Sequence, residues 1–154
     1  MVQRDSRGFT LIETLVVLGV VAVLMLVGWP KVRTALVKAN VRGARSAVIN
    51  TLQQAKNVAI RDGRRAAVNF SNGAGTMWVT ATPRKVAAAG STSDTVGAVR
   101  SLASLYGVTV NASVGSYTYD NRGLSTSTAD ATVLIARAGY QDSVLVNAYG
   151  RISK

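Results

Sequence analysis

Neither cysteine nor histidine occurs among the 154 residues. The first absence excludes disulfides, thiolate metal sites and cysteine nucleophiles, and leaves the redox compartment open. The second removes the Ser-His-Asp arrangement, the Cys-His pair and the commonest metal ligand together. Acid is scarce too: seven Asp and Glu stand against eighteen Lys and Arg, for a net charge of +11. The aspartates are scattered without a D-x-D-x-D-G loop, and Gly73-Ala74-Gly75 lacks the third glycine of a dinucleotide fingerprint, with Trp78 in its place. Trp78, Tyr106, Tyr117, Tyr119, Tyr140 and Tyr149 mostly alternate on short strand-like runs, which suits core and sheet positions better than base-stacking platforms. No enzyme activity, cofactor, metal or small-molecule substrate is expected. The length allows one domain with a modest core.

The basic excess points to an anionic partner, whether nucleic acid, anionic lipid or an acidic protein surface, or only to solubility. Apolar residues are unevenly spread. Leu15 to Trp29 carries no charge or strongly polar group, and Phe9 to Trp29 is interrupted only by Thr10, Glu13 and Thr14. A helix of that length spans roughly 30 Å, the thickness of a bilayer's hydrocarbon core. A cleaved secretory signal is the rival, with Arg4 and Arg7 as its positive start. Against it, the apolar run is long, Trp29-Pro30-Lys31-Val32-Arg33 has no small-x-small cleavage pattern, and Glu13 lies near the start of the run.

The segment Gly8-Phe9-Thr10-Leu11-Ile12-Glu13, after a short basic leader and before an apolar helix, closely resembles the N-terminus of type IV pilin-like proteins, the pilins and pseudopilins. The resemblance implies that a prepilin peptidase cuts after Gly8 and that the new N-terminal Phe9 is methylated. Residues 1–8 are then the leader and 9–29 the transmembrane helix. Cleavage would place a positive amine about one helical turn from Glu13, and methylation would keep that charge. A carboxylate in a membrane is costly unless paired, so Glu13 reads as an assembly contact between subunits; the alternative is a headgroup-level residue that helps the first helical turn. The resemblance implies an inner-membrane protein with its N-terminus cytoplasmic and its C-terminal domain periplasmic, later in a pilus or pseudopilus. Counting flanking charges points the other way: Arg4 and Arg7 precede the span, whereas Lys31, Arg33, Lys38, Arg42 and Arg45 follow it.

Beyond Pro30, residues Val37, Val41, Ala44, Val48, Leu52, Ala55 and Ala59 recur at spacings of three and four, one face of an amphipathic helix over 30–65 that stops near Asp62-Gly63. Lys31, Lys38, Arg42, Arg45 and Lys56 fall in a sector roughly 60° wide beside that face. This basic stripe reads as a solvated face, or as a surface for nucleic acid or lipid headgroups. Residues 66–154 turn β-rich, with runs at Ala66–Phe70, Met77–Thr82, Val108–Val110, Tyr117–Asp120, Thr132–Ala136 and Ser143–Tyr149. Arg84 to Gly97 reads as a mobile loop. An α+β fold is expected: a long N-terminal helix, membrane-spanning in its first half and amphipathic in its second, packed against an antiparallel sheet.

The helix ending at Asn57-Val58-Ala59-Ile60-Arg61-Asp62-Gly63, the strand Ala67-Val68-Asn69-Phe70, the Tyr119-Asp120-Asn121-Arg122-Gly123 segment and the closing Gly150-Arg151 look like the GspH/FimT family of minor pseudopilins and minor pilins. That resemblance implies a structural subunit at the tip or in priming, whose partners are prepilin peptidase, other pilins or pseudopilins and the inner-membrane assembly platform. It also implies an alternative, capture of extracellular DNA, as in FimT-like members. For DNA the candidates are Arg64, Arg65, Arg84, Lys85, Arg122, Arg151 and Lys154. DNA-binding members end in Gly-Arg-x-Arg; here Gly150-Arg151-Ile152 match, Ser153 replaces the second arginine, and Lys154 follows. Charge is concentrated on 31–65, with nine basic residues against one acidic, and is thinner from Ala66 onward, with seven against four.

Overall fold

The computed structural model describes residues 9–83, 93–127 and 129–153. Its first helix, α1 (Leu11–Asp62), runs through Pro30. The chain divides after Leu36 into two compact units.

In the first unit α1 is started by Thr10, whose carbonyl accepts the N–H groups of Glu13 (3.1 Å) and Thr14 (3.2 Å) and whose hydroxyl also accepts from Glu13. Glu13 in the first turn complements the positive end of the helix dipole. The Thr14 hydroxyl donates to the Leu11 carbonyl at 2.8 Å, which satisfies that donor within the helix. The large apolar side chains from Leu11 to Leu26 lie exposed on this unit. Such a surface requires lipid or other helices around it.

The second unit begins with the amphipathic half of α1. Val41, Ala44, Ala47, Val48, Thr51, Leu52, Ala55 and Ala59 form its buried stripe, and the Thr51 hydroxyl bonds the Ala47 carbonyl at 2.9 Å. Val37 stays half-buried at the edge of that stripe. The helix stops where Gly63 takes φ +64° and Arg64 N–H reaches back to the Ala59 carbonyl at 3.2 Å, the six-to-one bond of a Schellman turn.

Two four-stranded antiparallel sheets follow. With β1 (Ala66–Ser71), β2 (Thr76–Ala81), β3 (Asp94–Ser101) and β5 (Ser116–Tyr119), the first has the order β3-β2-β1-β5. The second joins β4 (Thr109–Ala112), β6 (Ala131–Arg137), β7 (Tyr140–Val146) and β8 (Ile152–Ser153) in the order β4-β6-β7-β8. Alternation sets the register: Val68 faces Val79 on one side and Tyr117 on the other, and Val133 faces Val144. These inward residues and the α1 stripe share one core. A short helix, α2 (Leu102–Tyr106), is capped by the Ser101 side chain and seats Leu102 in that core.

The α+β class and the antiparallel pairing match the expectation. Three details are corrected. There are two sheets rather than one, because β4 pairs along its length with β6 and meets the β1–β2 turn of the first sheet through the isolated bridge Gly73–Val110. Asp94 to Gly97, read as loop, belongs to β3 through pairs such as Val96 with Val79, whereas 84–92 lie outside the described residues. The run Ser143–Tyr149 ends as a strand at Val146, since Asn147 to Gly150 form a turn.

Tyr117 and Tyr119 meet edge to face at 5.2 Å inside the core. The Tyr117 hydroxyl donates to the Asn147 carbonyl at 2.7 Å, while the Tyr119 hydroxyl is buried with no partner among the described residues. Burial pushes both phenols above the ordinary value; at Tyr117 hydrogen bonds around Ser125 and Gly150 oppose the rise. Tyr119→Phe is therefore expected to leave stability unchanged or raise it by up to about 1 kcal/mol, whereas Tyr117→Phe loses about 1–2 kcal/mol, both read by urea unfolding. The sign in pH follows from the raised values. The phenols' contribution is full below about pH 10 and falls as pH climbs above it, and Tyr119→Phe flattens that alkaline slope.

Candidate functional site

Two regions hold the residues singled out in the sequence. The first is the start of α1. Phe9 is exposed just before the helix, and Glu13 follows one turn on, with no ion-pair partner among the described residues. Gly8 lies outside the described residues. Glu13 thus stands as a lone carboxylate beside Ile12, Val16 and Val17, all exposed apolar side chains.

The second region is the basic surface of the domain, and its cations differ sharply in how they are engaged. Arg64 is not a free phosphate contact. Its guanidinium bonds Asp62 at 3.1 Å, Asp94 at 3.1 Å and the Thr82 carbonyl at 2.7 Å, and its side chain is only 14% exposed. It ties the end of α1 to β3 and to the segment after β2. Arg64→Ala is expected to cost about 1–3 kcal/mol of domain stability, measured by denaturant unfolding, because two carboxylates and a carbonyl lose a charged donor.

The supposed stripe along α1 is likewise interrupted. Arg45 pairs with Asp142 of β7 at 2.8 Å, and Lys38 lies 5.8 Å over the Tyr140 ring. Arg42 stays exposed.

Arg65, Arg122 and Arg151 are exposed and form no ion pair among the described residues. Arg84, Lys85 and Lys154 lie outside the described residues. Two side-chain-capped turns present Arg122 and Arg151. Asp120 Oδ1 accepts the N–H groups of Arg122 (2.9 Å) and Leu124 (2.8 Å), and Asn147 Oδ1 accepts those of Tyr149 (3.2 Å) and Arg151 (2.8 Å). The turns abut: a Cβ on Gly150 would lie 3.5 Å from the Gly123 carbonyl oxygen, and one on Gly123 would lie 3.3 Å from Lys56 Cε. Lys56 and Arg151 also share an open groove of about 460 Å³ with Gln53, Asn57 and Tyr149. The fold thus brings Lys56 and Arg151 to one groove and sets the turn that carries Arg122 beside it, while Arg65 stands just before β1. Sequence reasoning did not join Lys56 to the other two. Their separation along the chain carries no period, and only the packing of both turns on the end of α1 unites them.

Residues 3–29 match the prokaryotic N-terminal methylation motif, and residues 44–150 match the family described as type II transport protein GspH. No curated protein matches the chain by sequence. Two crystal forms of the Pseudomonas aeruginosa type IV minor pilin FimU share its fold. One is 17% identical, covers 75% of this chain and 88% of its own, and superposes with a TM-score of 0.57. The other is 16% identical, covers 75% and 90%, and gives 0.50. The motif and the apolar N-terminal helix make the chain a membrane-anchored pilin-like protein, and its fold is shared with that minor pilin. With more than half of its length matched by one family, the chain belongs to the type IV pilin-like GspH family.

Proposed function

We propose that the chain is a minor pilin or pseudopilin, cleaved between Gly8 and Phe9 and assembled through α1 into a type IV pilus or a type II secretion pseudopilus, at the tip or in priming. One observation carries the reading: the apolar surface from Leu11 to Trp29 is exposed, and its one charge is Glu13. In the bilayer, lipid tails cover that surface. On assembly, neighbouring helices replace them, an exchange with no hydrophobic penalty, so packing and polar contacts decide register. A methylated Phe9 amine of one subunit facing Glu13 of another neutralises both charges where neither could be solvated. In this arrangement the N-terminus is cytoplasmic, and the domain from Val37 onward is periplasmic before extraction. Prepilin peptidase, other pilins and the inner-membrane platform are its partners.

A benzoylphenylalanine placed at Val20, exposed on the apolar helix, tests the reading directly. Light is expected to join it to other pilin subunits in cells that build filaments. A chain that inserts and is processed, yet joins only lipid, contradicts assembly through this helix.

The groove of Lys56 and Arg151, with the Arg122 turn beside it, favours a second reading, capture of DNA by phosphate contacts. Arg122→Ala with Arg151→Ala is then expected to lower DNA affinity and to reduce the salt slope by about one per lost contact. Arg64→Ala should change stability without changing that slope. Equal affinity and slope in the Arg122/Arg151 variant end the DNA reading.

A further inference from the structure

The apolar run ends at Trp29, and Pro30 follows inside the helix. Pro30 has no N–H to give the Leu26 carbonyl, so that oxygen needs water or another polar group, which the edge of the hydrocarbon supplies. A tryptophan is at home there, with an apolar body and a polar N–H.

Lys31 and Arg33 come next, both exposed. Within residues 9–36 the one carboxylate is Glu13, eighteen residues before Lys31, hence about 27 Å away along the helix axis. That is nearly the full hydrocarbon thickness, so Glu13 cannot neutralise them. The Arg33 guanidinium carbon lies 5.7 Å from the Trp29 ring centroid. This contact turns Arg33 back along the helix toward the apolar run, the direction in which helical side chains already lean.

We propose that Trp29, Lys31 and Arg33 form a site for anionic phospholipid headgroups in the leaflet on the side of the C-terminal domain. The ring sets the depth, and the two cations meet the lipid phosphate at the membrane surface. The site requires insertion of the helix and does not require assembly. It holds the unassembled subunit at a fixed depth, and entry into a filament must release the lipid.

The test uses the full chain in phosphatidylcholine vesicles containing a minor fraction of phosphatidylglycerol, with Trp29 fluorescence as readout. The Trp29→Phe chain supplies the signal of Trp78, which lies on β2. Phosphatidylglycerol brominated near its headgroup is expected to quench Trp29 severalfold more than the same mole fraction of brominated phosphatidylcholine. Lys31→Gln with Arg33→Gln should make the two lipids quench equally. Equal quenching in the unaltered chain overturns the proposal, as does an undiminished preference in the double variant. Circular dichroism and vesicle flotation establish that each chain is folded and inserted, so a failure here is distinct from a failure to assemble.

Discussion

Glu13→Val is expected to lower recovery of the chain in sheared filaments by tenfold or more while membrane insertion and processing stay intact. The carboxylate is the single charge in an exposed apolar stretch, one turn from the amine that cleavage would create. Valine removes the cost of inserting a carboxylate, so insertion does not suffer. In the filament the same change leaves the methylated amine of a neighbour without its counter-charge in a dry setting. Breaking a buried pair from one side costs about 3–5 kcal/mol, and about 1.4 kcal/mol is already a factor of ten. Glu13→Asp keeps the charge on a shorter arm and should retain part of the assembly. Filaments that take up the valine chain at the normal level would show that Glu13 serves only the first turn of the helix.

The second large effect is expected at Gly123. Its φ of +78° is one that side chains rarely adopt, and a Cβ there would lie 2.6 Å from Ile60 Cδ1 and 2.8 Å from Ile60 Cγ1. Backbone strain of about 1–2 kcal/mol then adds to overpacking of about 1–3 kcal/mol. Gly123→Ala should therefore destabilise the domain by about 2–5 kcal/mol in urea unfolding and disorder the turn that presents Arg122. Ile60 is half exposed, so Ile60→Ala alone is mild. In the double variant the clash term should vanish and the φ term remain, a coupling of about 1–3 kcal/mol in a double-mutant cycle. Additive losses would mean that the turn does not rest on α1 through this contact.

Much of the helix was legible in advance because its signals are local. The three-and-four spacing from Val41 to Ala59 reappears as the buried stripe, and Asp62-Gly63 marks the Schellman stop. Strand interiors such as Val68 and Val133 also followed from alternation. What escaped depends on distant partners. Nothing near Thr109 states that β4 pairs along its length with β6 rather than with the first sheet. Asp94 to Gly97 lacks β-rich composition and becomes strand through its pairing with β2. Arg64 looked like a free cation because Asp94, thirty residues away, meets it only after folding. The Phe9 and Glu13 pattern needed no tertiary information, since the methylation motif it belongs to is matched by consecutive residues, 3–29.

Intact mass of the membrane-extracted protein, from cells carrying the prepilin peptidase, tests the central claim most directly. The expected species runs from Phe9 to Lys154 and carries one added methyl group, while cells lacking the peptidase keep residues 1–8. A mature chain that retains residues 1–8, or one cut beyond Trp29 as a secretory signal would be, contradicts a pilin-like subunit that assembles through α1.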